Sequence, residues 1–477
     1  MSRHRAKLSK SRPAVSRRRA LHAGFAGVAS LCVPSMLSTS ALTAAAQAPG
    51  RSSNGKSVIL LWMAGGPSQI DTWDPKPLRP LENRGPFAAM ETAVPGIHIS
   101  EHLPKQAAMM DRFTLLRAVD ARHGEHSPNK VMQTGNSKAS PRKNPVGEMY
   151  PAIGSVVARF RGANQPGVPP YVAFNRDPAH LAKGGFLGMR YDPMNGHRAA
   201  GLPEYEGFGR LTDEAAMIAK AGRFDLPPGV SGQRIDDRGQ LLASLNRLPN
   251  RFDGAGAMDA VEHFQQQAVE MVLGGAARRA FDLKQEPTAV RERYGKHLWC
   301  QQALLARRLV EAGVSFVTVD LSFGINAGDW DSHGDQHVFG GISTGLRPLL
   351  PVFDHLVTTL VGDLEERGLL DDVLVLALGE FGRSPILGTQ PGFSGGRNHW
   401  KSVMSMCLAG GGLRHGQVIG ASNAEGGEIK DRPVTPGDLA ATIYRHMGVP
   451  LDATYLDTSG RPLYIVEGQG KPLAELF

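Results

Sequence analysis

Twice in this chain, apolar residues at helical spacing are stopped by a glycine and followed at once by a short, largely apolar run. Leu298, Leu304, Leu305, Leu309 and Val310 share one helical face, Gly313 ends the pattern, and Val314-Ser315-Phe316-Val317-Thr318-Val319 follows. Leu349 to Leu364 repeats the periodicity, Gly368 ends it, and Val373-Leu374-Val375-Leu376-Ala377-Leu378 follows. Spacings of three and four put apolar groups on one side of a helix, whereas an unbroken β-branched run suits a strand buried on both faces. Such a strand needs helices on either side, and their alternation is the mark of an α/β fold. Val58-Ile59-Leu60-Leu61-Trp62, running into Ala64-Gly65-Gly66-Pro67, predicts the first strand, and Val403 to Leu408 predicts a further one. The expected architecture is a doubly wound, mainly parallel sheet flanked by helices, with ligands gathered at the carboxyl ends of the strands.

With 477 residues, 41% of them hydrophobic, the chain can bury a large core. We read residues 58–477 as a single domain, preceded by a polar linker at 47–57, with a polar, irregular insertion or cap at about 185–290. No internal repeat is evident.

The formal charge of +8 would suggest an acidic partner such as nucleic acid if it were spread over the fold. It is not. Arg3, Arg5, Lys7, Lys10, Arg12, Arg17, Arg18 and Arg19 lie in residues 1–46 without one acid among them, so the remainder is neutral and nucleic acid is not an expected partner. A basic stretch, an apolar run from about Leu21 to Val33 and the small residues Ala44-Ala45-Ala46 have the layout of an export signal. Ser16-Arg17-Arg18-Arg19-Ala20-Leu21 resembles a twin-arginine signal, which implies the twin-arginine export machinery as a partner. Cleavage near Ala46 would leave a periplasmic or extracellular protein with no transmembrane segment, since no later apolar run is long enough. It would also remove Cys32, leaving Cys300 and Cys407, too few for a disulfide framework or a thiolate cluster. Whether those two pair is open, with buried free thiols as the default.

Acids and histidines fall where the topology would put a site. Asp71 and Asp74 follow the first strand, Asp329, Asp331, His333 and His337 follow the strand around Val317, Glu380 follows the strand at Val375, and His399 precedes the strand at Val403. In extended backbone Asp331 and His333 point to one side and could share a cation. Mixed carboxylate and imidazole donors suit a divalent metal, zinc or manganese first, as one or two ions, with calcium left open. The competing reading for any one of these residues is a helix cap or a backbone contact.

These residues carry a resemblance. Gly65-Gly66-Pro67-Ser68-Gln69-Ile70-Asp71-Thr72-Trp73-Asp74-Pro75-Lys76-Pro77, Trp330-Asp331-Ser332-His333, Gly379-Glu380-Phe381-Gly382-Arg383-Ser384-Pro385 and Gly396-Arg397-Asn398-His399-Trp400 resemble the signature blocks of a widespread bacterial family of unknown function. That family, with many planctomycete members, is placed in the alkaline phosphatase and sulfatase superfamily. The tail from Val434 to Ile443 is similar to the closing helix of sulfatases. The resemblance implies an alkaline phosphatase-like fold and hydrolysis of a phosphate or sulfate ester, an anionic substrate whose identity stays open. It implies a metal site drawn from Asp71, Asp331, His333, Glu380 and His399, with Glu380 where many relatives have aspartate and Phe381 where they have a ligand histidine. His126-Ser127-Pro128-Asn129-Lys130 is similar to the segment that opens, in sulfatases, with the cysteine converted to formylglycine. Here His126 stands in that cysteine's place, so a formylglycine nucleophile is not expected. Ser127 is a candidate nucleophile or a helix cap before Pro128, and His126 a ligand, base or nucleophile. Arg383 and Arg397 could each clamp an anionic ester or pair with an acid. The rival reading is a non-catalytic binding or envelope protein on the same scaffold.

Overall fold

The computed structural model describes residues 55–125, 130–175, 180–196, 205–206, 210–211, 237, 275–322, 330–334, 341–388 and 395–477. Contacts divide the chain into Met1–Arg51, which lies outside the described residues, and Ser52–Phe477, which holds the fold. The segment expected to be an export signal and most of the expected insertion therefore also lie outside them.

The eight strands of the main sheet are β1 (Ser57–Trp62), β2 (Phe113–Val119), β3 (Tyr171–Phe174), β4 (Met194–Asn195), β5 (Phe316–Asp320), β6 (Val373–Leu378), β7 (Met404–Gly410) and β8 (Gln417–Ile419). Their spatial order is β8-β2-β7-β6-β1-β5-β3-β4. β1 pairs in parallel with β6 on one side and β5 on the other, Leu61 facing Ala377 and Val319. β7 alone runs against its neighbours β6 and β2. The expected mainly parallel sheet is present, and the strand foreseen at Val403 to Leu408 is its antiparallel member.

Side chains alternate across a strand, and in β1 both faces are buried. Ile59 and Leu61 enter one core with α3 (Leu298–Glu311) and α4 (Arg347–Glu366), the two helices expected from periodicity. Val58, Leu60 and Trp62 enter the other core with α2 (Ile153–Phe160) and α5 (Pro436–Met447). Gly313 (φ +107°) and Gly368 (φ +67°) carry the chain out of α3 and α4 through the left-handed region, where a side chain is strained. Helix α5 is bounded at both ends: the Thr435 hydroxyl accepts from Asp438 N at 3.1 Å, the Asp438 carboxylate accepts from Thr435 N at 2.9 Å, and Gly448 (φ +70°) closes it. Among the described residues no helix is long and apolar enough to cross a membrane.

Because β7 is antiparallel, its first residue lies at the same sheet edge as the last residues of β1, β2, β5 and β6. Segments from five distant parts of the sequence thus open onto one edge.

Candidate metal centre

After β1 the chain turns through Gly65 (φ +112°) and Gly66 (φ +79°). A Cβ on Gly65 would lie 2.5 Å from Asp331 N, and one on Gly66 would lie 2.7 Å from Phe381 O. The glycine pair is what lets the segments after β5 and β6 close over the end of β1. Two hydrogen bonds hold them there: Gly65 N donates to Glu380 Oε1 at 2.9 Å and Trp330 N to Ala64 O at 3.3 Å. Trp330 is fully buried, stacked on Trp299 with ring centroids 5.8 Å apart, and donates from Nε1 to Leu321 O at 3.0 Å. It anchors the residue that follows, Asp331.

Asp331, His333 and His399 meet. His333 Nε2 lies 2.9 Å from Asp331 Oδ1 and 2.9 Å from His399 Nε2, and His399 Nε2 lies 3.8 Å from Asp331 Oδ1. A triangle with those sides has a circumradius of about 1.9 Å, so a point just off its plane is about 2.0 Å from all three atoms, the bonding distance of zinc to imidazole and carboxylate. The donor set fits a divalent ion of zinc type. Asp331 and His333 are buried, and His399, with its side chain 34% exposed, faces outward. Asp331 Oδ1 also accepts from Arg383 Nη2 at 2.5 Å, a contact of the kind that orients a ligand carboxylate.

The remaining sequence candidates divide. The Arg383 guanidinium is fully buried and donates to Gly66 O at 3.0 Å, Arg397 O at 3.2 Å and Gly65 O, besides Asp331. Arg397 is equally buried and pairs with Asp71, Nε to Oδ2 at 2.6 Å, while its Nη atoms donate to the carbonyls of Asn83, Ser384 and Pro385. The structure therefore puts both arginines on protein acceptors. Asp71, which also accepts from Ser68 Oγ at 2.5 Å, is engaged with Arg397 and stands outside the trio, because a guanidinium distant in sequence claims its carboxylate. Glu380 reaches the Gly65 amide and is likewise not grouped with the trio. The Phe381 ring lies 4.8 Å from that of His399 and forms an apolar wall there. Ser127, His126, Asp329 and His337 lie outside the described residues.

Sequence reasoning passed over one cluster at the same edge. Asp320, the last residue of β5, is buried, and its Oδ2 lies 3.2 Å from His180 Nδ1, which is 3.3 Å from Ser322 Oγ. Burial pushes the Asp320 carboxyl above the ordinary range, His180 and Ser322 draw it down, and the Glu380 charge raises it. The signal available was Asp320's place at the end of an apolar run; His180 has no periodicity around it. Gln133, in α1 (Val131–Thr134), secures this segment, donating to His180 O at 2.6 Å and accepting from Ala182 N at 2.9 Å.

No curated protein matches the sequence. Among solved structures, the PsFucS1 sulfatase from Pseudoalteromonas sp. is similar at 12% identity and a TM-score of 0.36, covering 83% of this chain and 68% of its own. The phosphonate monoester hydrolase SpPMH from Silicibacter pomeroyi is similar at 12% identity and a TM-score of 0.32, covering 88% and 75%. That of Agrobacterium radiobacter gives 14% identity and a TM-score of 0.31, covering 88% and 78%. These likenesses are weak. The match that spans the fold is to a family profile over residues 55–477, and by it the chain belongs to the family described as Protein of unknown function (DUF1501).

Proposed function

We propose that this protein is an exported, metal-dependent hydrolase of a phosphate or sulfate ester that works without a formylglycine nucleophile. The observation that carries the reading is the convergence of Asp331 Oδ1, His333 Nε2 and His399 Nε2 on a common point at the carboxyl edge of the sheet. A divalent ion held there, zinc first and manganese second, would supply Lewis acidity toward an ester oxygen.

The chain's own residues divide the remaining work. Arg383 fixes the Asp331 carboxylate, and Arg397 with Asp71 holds the segment leading to His399. Glu380 positions the Gly65 turn. Phe381 and the buried side of the trio limit water on one face, while His399 leaves the other open. Ser127 or His126 is the proposed reacting residue. The resemblance to the alkaline phosphatase and sulfatase superfamily supports the ester class, and the basic leader with its small-residue cleavage site supports twin-arginine export to the periplasm.

The test is elemental analysis of the purified exported protein beside His333→Ala and His399→Ala, followed by phosphate, sulfate and phosphonate monoester screens. The reading expects a tightly held ion in the parent, its loss in both variants, and turnover that falls with the metal. A folded parent that holds no metal sinks it in favour of a binding protein on the same scaffold. That rival has one observation on its side: Phe381 packs an apolar ring against His399, where a second ion would want a donor.

A further inference from the structure

Arg383 and Arg397 give their donors to protein acceptors, so an anion at the trio must be recognised by other cations. Lys401 lies two residues beyond His399, and its Nζ stands 6.0 Å from the centroid of the Phe381 ring that packs on His399. Its side chain is half-buried, and among the described residues its ammonium has neither an ion pair nor a hydrogen bond. Its charge is felt by Glu125, which favours it, and by Lys143 and Arg142, which oppose it. Glu125 is buried, whereas Arg142 and Lys143 are exposed and likewise without an ion pair among the described residues. Arg122, which follows β2 at this edge, does have a partner and lies 2.5 Å from Asp120. Lys143 and Arg142 repel the Lys401 ammonium, and an anion bound beside it relieves that repulsion.

From this juxtaposition we infer that Lys401 is the cation that receives the oxyanion presented to Asp331, His333 and His399, and that Arg142 and Lys143 extend recognition to a second anionic group on the same substrate. The substrate class is an ester carrying at least one further negative charge. The inference rests on the trio being the metal centre, and the test separates the two.

Zinc-loaded protein is titrated calorimetrically with inorganic phosphate, inorganic sulfate and fructose 1,6-bisphosphate, the first two distinguishing the kind of oxyanion. Lys401→Gln should weaken binding of the favoured inorganic anion by about tenfold or more while zinc content and circular dichroism match the parent, and Lys401→Arg should restore most of it. The double change Arg142→Ala with Lys143→Ala should leave the inorganic anion unchanged and remove the parent's preference for the bisphosphate. A zinc-bearing parent that binds none of the three anions, or whose affinity survives Lys401→Gln, overturns the inference and leaves the metal centre standing. A zinc-free parent that still binds phosphate through Lys401 upholds the anion site and removes the metal reading instead.

Discussion

Gly396 has no side chain because His333 leaves no room for one: a Cβ there would fall 2.2 Å from the His333 carbonyl carbon and oxygen. The same contact, with Arg397 N donating to Ser332 O at 2.8 Å, ties the loop that bears His399 to the loop that bears His333. Gly396→Ala must push the two apart, so we expect zinc affinity to fall by about tenfold or more, with roughly 1–3 kcal/mol lost from stability by overpacking. Zinc titration and urea unfolding read both, and unchanged affinity would show that the loops need not touch. The two cysteines of the fold have a different residue-scale consequence. Both are free and buried, and burial pushes each thiol up to about 12. The thiolate is the reactive form. In a chain beginning at Gln47, a thiol reagent at pH 8 should therefore label neither until denaturant is added, and prompt labelling of the native protein would contradict their burial. At this scale the sequence was half legible. Asp331, His333 and His399 could be nominated by residue type and strand-end position, but nothing local showed that Arg397 would take Asp71 or that Arg383 would turn inward to Asp331. Those are contacts between residues 326 and 52 positions apart.

Secondary elements with strong periodicity were readable almost to the residue, because each is buried on the face its pattern presents. Helix α3 begins at the expected Leu298 and β6 spans the expected Val373 to Leu378. β2, Phe113–Val119, was not foreseen: Thr114 and Arg117 interrupt its apolar run, although the Thr114 hydroxyl reaches Arg414 O and the Arg117 guanidinium reaches Trp73 O and His98 O. Helix α5 illustrates how one element locks another. His446, near its end, donates from Nε2 to Ser57 O at 3.0 Å, at the start of β1. Burial lowers this imidazole from 6.5 to about 4, with the Ser57 carbonyl opposing in part. Between pH 6.5 and about 4 the unfolded chain takes up a proton that the native protein refuses. Stability from this residue is therefore complete above pH 6.5 and falls as the solution is acidified toward 4, by ~3 kcal/mol in all. In urea unfolding at a series of pH values, His446→Gln should show a correspondingly shallower decline across that window. Parallel pH profiles for parent and variant would mean that the imidazole is not held neutral.

In the whole molecule, the sheet gathers what the sequence scatters. Chain segments near residues 62, 119, 320, 378 and 404 come to one edge because β1 lies between β5 and β6, and because β7 enters antiparallel between β6 and β2. Strand order is a global property, so the sequence could name the residues that follow each strand without saying which would be neighbours. One consequence concerns stability as a whole. The trio's atoms come from the segments after β5 and before β7, and the unfolded chain has no reason to hold them within 4 Å of a common point. An ion bound there must therefore stabilise the native state by mass action, by ~4 kcal/mol at a free concentration a thousand times its dissociation constant. Chelator-treated protein should melt at a lower temperature than the same sample resupplied with zinc, and the gain should rise with the logarithm of free zinc. His333→Ala and His399→Ala should melt at zinc-independent temperatures near that of the chelated parent. If both variants keep the zinc-dependent gain, the ion sits elsewhere on the molecule, and the convergence of the three side chains serves only to pack the edge of the sheet.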